Sequence, residues 1–427
     1  MKKGCVTMKK RYDVIVIGAG PAGLMAAISA GQQGASVLLL EKNKKAGKKL
    51  RMTGGGRCNV TNQRPVDDLI THIPGNGRFL YSTFAQWNNQ DIMAFFAQQN
   101  VALKEEDHGR MFPVSDRSKT IVDALVAAAI EAGVDLEFSC NATKLITQEE
   151  TVQGVRCDLG DVAATCVIVT TGGKTYSGTG ATGDGYTFAK SVGHHITPLF
   201  ATEAPLISEA DFVKAGTLQG LSLQDIALSV LSPKGKKVVT HEMDLLFTHF
   251  GLSGPAALRC AYFVNRQLRE TGQPVLVELD SLPQVSAKAL LAQLQQQLQT
   301  KKQAKNALAG LVPERLLHYF LDQCGLADCI GFDASQKQIE QLCDFLKAFQ
   351  IPVIRTIALE KAFVTAGGVA VKEVQPKTLE SKYCQGLFFA GEVLDINGYT
   401  GGYNITAALC TGHVAGQHAA EIAGYWG

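Results

Sequence analysis

The chain has 427 residues and is 46% hydrophobic, enough apolar material for the cores of two or three domains. Its formal net charge is +2, so no global field points to nucleic acid or an anionic membrane, and neither is expected as a partner. Eleven cysteines with no C-x-x-C spacing read as reduced thiols and exclude a disulfide scaffold. The pair Cys324 and Cys329 stands alone, so no metal site is expected. The opening MKKGCVTMKKRYD is basic, but no apolar stretch leads to a cleavage site. VIVIG is far too short to span a bilayer, and the expectation is a soluble cytoplasmic protein.

Val14 to Ile17 form a β-branched run of the kind that builds a buried parallel strand. Gly18, Gly20 and Gly23 follow as G-x-G-x-x-G, with Pro21 and Ala22 inside the motif. An alanine- and leucine-rich helix then ends near Gly31 to Gly34. Val37 to Leu40 read as a second strand, closed by Glu41 and followed by Lys42. Strand, glycine turn, helix and terminal acid together specify a dinucleotide site. Gly18 permits the tight turn, Gly20 lets a pyrophosphate approach the backbone, and Gly23 lets helix and strand pack closely. The helix N-terminus offers N–H groups to phosphate, and Glu41 accepts from the adenosine ribose. A 2′-phosphate at this position would meet the Glu41 carboxylate. The fingerprint alone does not separate FAD from NAD.

RMTGGGRCNVTN, from Arg51 to Asn62, sets three glycines before an arginine, a cysteine and two asparagines. Such a run is costly in a helix or strand and signals a demand for bare backbone. Further on, CNATKLITQEETVQGVRCD reads as a small antiparallel addition, with Ala142 placed to offer backbone to adenine. Val167 to Thr170 make another buried strand, and Thr171-Gly172-Gly173 turn away from it. Thr182 to Gly185 start a helix in which Asp184 is the expected capping side chain. His194-His195 read as structural or solvent-facing.

From Pro205 to Asp280 the pattern is strand-like, and from Ser286 to about Gln350 it is helical. LFTHFGLSGPAAL ends a strand at His249, a candidate for positioning substrate or moving a proton, beside the plainer reading of a loop histidine bonded to backbone.

The C-terminal part, GLFFAGEVLDINGYTGGYNITAALCTGHVAG, supplies a strand from Leu387 to Ala390, then Gly391 and Glu392. Gly398, Gly401 and Gly402 precede a helix from about Asn404 to Gly416, so Tyr403, Asn404 and Ile405 stand at its start. This is a second ligand-binding edge. In flavoproteins with this two-ended pattern, the acid after the late strand meets the ribityl chain, and the late helix N-terminus faces the flavin pyrimidine ring. A nicotinamide-only enzyme needs no such edge, so the cofactor read here is FAD. The first and last segments must meet on one FAD. The expected architecture is therefore α/β: a Rossmann-like FAD-binding domain, residues 1–200 and 355–427, discontinuous in sequence. Its insert, residues 201–354, is β-barrel-like over 201–282 and mostly helical over 283–354.

VIGAGPAGLMAA, KKLRMTGGGRCNVTN, TGGKTYSGTGATGDGY, LLFTHFGLSGPAAL, AFVTAGGV and GLFFAGEVLDINGYTGGYNITAA together resemble a bacterial FAD-dependent oxidoreductase family. That family includes aminoacetone oxidase-like and BaiN-like bile-acid dehydro-reductase-like flavoproteins. The resemblance covers nearly the whole chain and implies an FAD-binding oxidoreductase with an inserted domain. With FAD in place, Thr53, Gly55, Gly56, Arg57, Cys58 and Asn59 are expected along the flavin end. Their main chain would run against the ring, with Arg57 and Asn59 holding pyrophosphate or ring oxygens. Cys58 lacks a nearby second cysteine and reads as a packing residue ahead of a catalytic thiol.

The leading reading is hydride transfer between FAD and a small substrate, with NAD(P)H as a transient donor. The chain has one dinucleotide fingerprint, so a nicotinamide would visit a cleft. An FAD-dependent RNA-modifying enzyme and a non-turning-over redox sensor are the alternatives; near-neutral charge and no basic stripe count against the first. The sequence leaves oligomeric state open.

Overall fold

The computed structural model describes residues 11–426, so the basic opening segment up to Lys10 lies outside the described residues. The chain divides into two compact units, residues up to 200 together with 364 onward, and residues 201–363.

The first unit is built on a parallel sheet. Strand β1 (Arg11–Ile17) buries Val14 through Ile17 and is flanked on one side by β2 (Val37–Glu41), on the other by the strand Gly160–Val169. Both faces of such a strand are covered, which is why its apolar run is continuous rather than alternating. The strand Leu387–Phe389 adds in parallel to Gly160–Val169, and Asp135–Phe138 adds in parallel to β2. Ala142–Gln148 and Thr151–Cys157 extend the sheet antiparallel, the small antiparallel addition read from the sequence.

Helix α1 (Pro21–Gln32) and the C-terminal helix Tyr403–Trp426 pack through small residues. A Cβ added to Gly412 would sit 2.2 Å from the Ala22 carbonyl oxygen, and one on Gly416 would sit 2.2 Å from that of Ala26. Backbone therefore meets backbone along one stripe, which pins the late helix against the fingerprint helix. The late helix runs on well past Gly416. Its first turn is what places the C-terminal candidate residues.

The second unit holds a seven-stranded antiparallel sheet that includes Ser222–Leu231, Lys237–Thr248 and Val275–Asp280. The helices Ala287–Gln297, Glu314–Gln323 and Gln336–Ala348 pack their apolar faces into its core. Three elements differ from the sequence reading, the short helix Asp211–Lys214 in the strand-like stretch being one. Helix Pro255–Thr271 falls inside the stretch read as mostly strand, and strand Phe349–Val353 inside the stretch read as helical. The helix buries Ala256, Ala257, Cys260, Ala261 and Val264, a helical spacing that the glycines and proline before it obscured. No helix among the described residues is long and apolar enough to cross a membrane.

Candidate functional site

The turn after β1 is built by glycine at two positions for different reasons. Gly18 has φ +104°, and a Cβ there would lie 2.8 Å from the Thr170 carbonyl oxygen. At Gly23 a Cβ would lie 1.8 Å from the Gly18 carbonyl oxygen, so helix and turn touch. Thr170 clamps the turn, its hydroxyl 2.9 Å from the carbonyl oxygens of both Ile17 and Gly18. Gly20 is the opposite case. It caps α1 without a side-chain bond, and a Cβ there meets nothing within 4 Å. The space in front of the helix N-terminus is open, with Pro21 and Ala22 in the first turn.

Glu41, buried at the end of β2, is fixed by its own surroundings. One carboxylate oxygen accepts from the Ala19 N–H at 2.8 Å, the other from the Asn43 N–H and side-chain amide at 2.8 and 2.7 Å. The Cys140 N–H donates to the Glu41 carbonyl, which brings Ala142 to the same sheet end. Lys42 ion-pairs with Asp184 at 2.5 Å. The capping expectation for Asp184 is thereby corrected: Gly183, with φ +89°, takes the cap position, and the aspartate is the first helical residue and turns to the lysine.

At the late edge, Glu392 gathers three segments. It pairs with Lys49 Nζ at 2.7 Å and accepts from the Thr365 N–H at 3.0 Å and the Gly173 N–H at 3.4 Å. Lys49 also donates to the Thr175 hydroxyl at 2.7 Å. Gly172, with φ +74°, faces this carboxylate. Gly391 packs on Ala22 of the fingerprint helix. Gly402 lies against Thr61 and Asn59, Tyr403 stacks on His72 at 4.7 Å, and the Asn404 amide ties back to both polar groups of Gly398. Ile405 is half-buried in the same turn. The two sequence ends thus meet at one sheet edge.

The triple-glycine segment is a turn of left-handed residues, with φ of 57°, 66° and 87° at Gly54, Gly55 and Gly56. A Cβ at Gly54 would strike the Asn59 N–H and Phe112, whereas Gly55 and Gly56 face open space. The demand for glycine there is conformational on the protein side. Thr53 bonds back to the Leu50 carbonyl. Arg57 is committed elsewhere than expected: it pairs with Glu106 at 2.8 Å and Asp116 at 3.5 Å and lies 4.1 Å over the Phe112 ring. Cys58 is fully buried, and burial pushes its thiol up to about 12, so it is no thiolate near neutral pH. His249, in the second unit, is exposed after strand Lys237–Thr248, its ring against Phe250.

Sequence reasoning missed Lys49, Thr170 and Tyr186. Asn59 Oδ1, Thr171 Oγ1 and the Tyr186 hydroxyl are buried without a hydrogen-bond partner among the described residues. Burial pushes the Tyr186 hydroxyl upward, aided by Glu392 and Asp395. Orphaned groups of this kind cost about 1–3 kcal/mol each unless something pairs with them. Those orphans, and the open space before α1, fit an extended dinucleotide with a polar second half. That places the chain among the FAD-dependent oxidoreductases of the α/β class.

It belongs to the family described as HI0933-like protein Rossmann domain, matched over residues 12–418. The chain is 31% identical over 402 residues to the ribosomal RNA dihydrouridine synthase of Haemophilus influenzae, covering 93% of this chain and 96% of that protein. It is 30% identical over 421 residues to the 3-dehydro-bile acid delta(4,6)-reductase of Clostridium scindens, covering 95% and 98%. Among solved structures, the 3-ketosteroid delta1-dehydrogenase of Sterolibacterium denitrificans matches with a TM-score of 0.52 at 14% identity, over 97% of this chain and 100% of that one. At that identity the likeness shows the fold alone.

Proposed function

We propose that this protein is a reductase that uses FAD to deliver hydride to a carbon–carbon double bond conjugated to a carbonyl, with NAD(P)H as the reductant. The two relatives bear different substrates in their names, and a dihydrouridine synthase and a delta(4,6)-reductase both name the saturation of a ring double bond, which supports the reading. A uracil ring and a 3-oxo steroid diene each present an electrophilic carbon β to a carbonyl. The open turn before α1 and the ordered Glu392 edge support FAD at this site, and the relatives' names support a conjugated acceptor.

Bound FAD supplies reversible two-electron hydride chemistry. The chain's own residues do the holding. The open turn at Gly20, with Pro21 and Ala22, receives the pyrophosphate, Glu41 the adenosine ribose, and Ala142 the adenine edge. Lys42 braces this end through Asp184. Gly172, Gly391 and Glu392 line the ribityl side, where Lys49 holds the carboxylate in place. Thr53 to Asn59 and Gly402 to Ile405 flank the ring, Cys58 as packing.

The test is product analysis under anaerobic conditions with NADH or NADPH. A 3-oxo-4,6-diene steroid and a uridine-containing RNA are offered in parallel. Gain of two hydrogens at the conjugated bond of either substrate is the expected result. No reduced product from either, with flavin fully reduced, overturns the reading.

A further inference from the structure

The formal charge of +2 hides a strong local excess. Between Glu41 and Asp67 the chain carries Lys42, Lys44, Lys45, Lys48, Lys49, Arg51, Arg57 and Arg64, and no carboxylate. Five of these are neutralised within the first unit: Lys42 by Asp184, Lys49 by Glu392, Arg51 by Asp123, Arg57 by Glu106 and Asp116, and Arg64 by Asp68. Lys44, Lys45 and Lys48 are exposed and pair with no carboxylate among the described residues. Lys174, also exposed and without such a partner, joins them from another segment.

The fold brings Lys48 and Lys174 onto one rim, and Lys44 and Lys45 belong to the same short segment as Lys48. Lys48 Nζ donates to the Gly178 carbonyl at 2.6 Å, the Asn43 amide to the Thr179 carbonyl at 2.9 Å, and Lys42 to the Thr182 hydroxyl at 2.5 Å. The segment 42–49 is thereby stitched to the loop 174–184, and Lys174 reaches along that loop to Gly183. The single acid on this rim, Asp184, is taken by Lys42. The rim borders Glu41 and the Lys49–Glu392 pair, the two ends of the candidate cofactor site.

We propose that this lysine rim is a docking surface for the sugar–phosphate backbone of RNA, holding a uridine-bearing strand at the site. The inference rests on the conjugated-double-bond reading with uracil as the reduced ring. Four lysine–phosphate contacts to a single strand give a salt slope near −0.7 per contact, about −3 in total. Binding should then weaken roughly sixty-fold between 50 and 200 mM salt.

The experiment uses the full FAD-loaded chain, with fluorescence-labelled single-stranded ribosomal RNA as the probe. Lys44, Lys45 and Lys174 are replaced together by glutamine. The expected result is a loss of RNA affinity of about tenfold or more at 100 mM salt and a slope falling to about −1. Flavin content and the rate of reduction by NAD(P)H stay at wild-type values. Lys174→Gln alone should lower the slope by somewhat less than one. Equal RNA binding by wild type and triple variant overturns the proposal. So does lysine-dependent binding to phosphatidylglycerol vesicles with no binding to RNA. Steroid-diene reduction, followed in the same preparations, reports separately on the conjugated-bond reading. If it persists while RNA binding fails the test, only the docking surface falls.

Discussion

Gly20→Val separates the cofactor's demands from those of the fold. Gly20 has φ −79° and ψ −176°, a conformation open to any L-residue, and an added Cβ meets nothing within 4 Å. Valine is a poorer helix cap than glycine, a cost of about 0.5–1 kcal/mol. Reduced backbone freedom in the unfolded chain returns about 0.4–1 kcal/mol. Stability of the flavin-free protein should therefore stay within about 1 kcal/mol of wild type. The same side chain fills the space before α1, where a pyrophosphate must sit against the backbone. Loss of FAD affinity should reach about 3 kcal/mol or more, at least a hundredfold. Gly23→Ala is the contrasting case, because its methyl would sit 1.8 Å from the Gly18 carbonyl oxygen and the fold itself must give way. Urea denaturation of the flavin-free variants and titration with FAD, read by flavin fluorescence, distinguish the two. Full FAD affinity in Gly20→Val, or a stability loss there as large as in Gly23→Ala, would refute the reasoning.

Glu41→Ala should weaken FAD by about 1–3 kcal/mol in the same titration while the flavin midpoint potential holds, because the ribose is remote from the ring. Lys49→Met strips the Glu392 carboxylate of its cation and should lower FAD affinity by about 1–2 kcal/mol, with Lys49→Arg restoring most of it. Cys58→Ser should keep its flavin and its rate of reduction, and iodoacetamide at pH 8 should leave Cys58 unmodified in the folded protein, as mass spectrometry of digests would show. Gly55→Ala or Gly56→Ala forces alanine into a left-handed conformation at about 1 kcal/mol, and should disturb the flavin spectrum more than Cys58→Ser does. His413, stacked on Trp87 at 4.5 Å and bonded through Nδ1 to Ser29, has its imidazolium disfavoured by burial, so that its pKa falls to about 4. The unfolded chain binds that proton below about pH 6.5 and the folded chain only near 4. Stability should therefore fall by roughly 2–3 kcal/mol between those values, and His413→Gln should flatten that part of the profile in urea melts.

The fingerprint was legible because it is local. One strand, three glycines, one helix and one acid fall within thirty-odd residues, and each has a physical reason for its type. Placing the C-terminal segment beside it required only that a late strand and helix serve the same ligand. Lys49 was not legible, since its partner Glu392 lies on another strand end and nothing in the local pattern fixes that register. Thr170 clamps Gly18 across the sheet for the same non-local reason. Arg57 looked like an anion ligand from its neighbours in sequence, but Glu106 and Asp116 arrive from a separate hairpin and loop. Asp184 looked like a cap because the helix began there, yet Gly183 already supplied the turn. Helix Pro255–Thr271 was hidden by the strand-like segments on both sides.

The central claim is most directly tested by anaerobic stopped-flow spectroscopy of the FAD-loaded protein. Mixing with NADH or NADPH should bleach the oxidised flavin bands. A second mixing with a 3-oxo-4,6-diene steroid or a uridine-containing RNA should restore them in step with formation of the reduced product. Bleaching with no reoxidation by either conjugated acceptor, or a flavin that neither nicotinamide reduces, would contradict it.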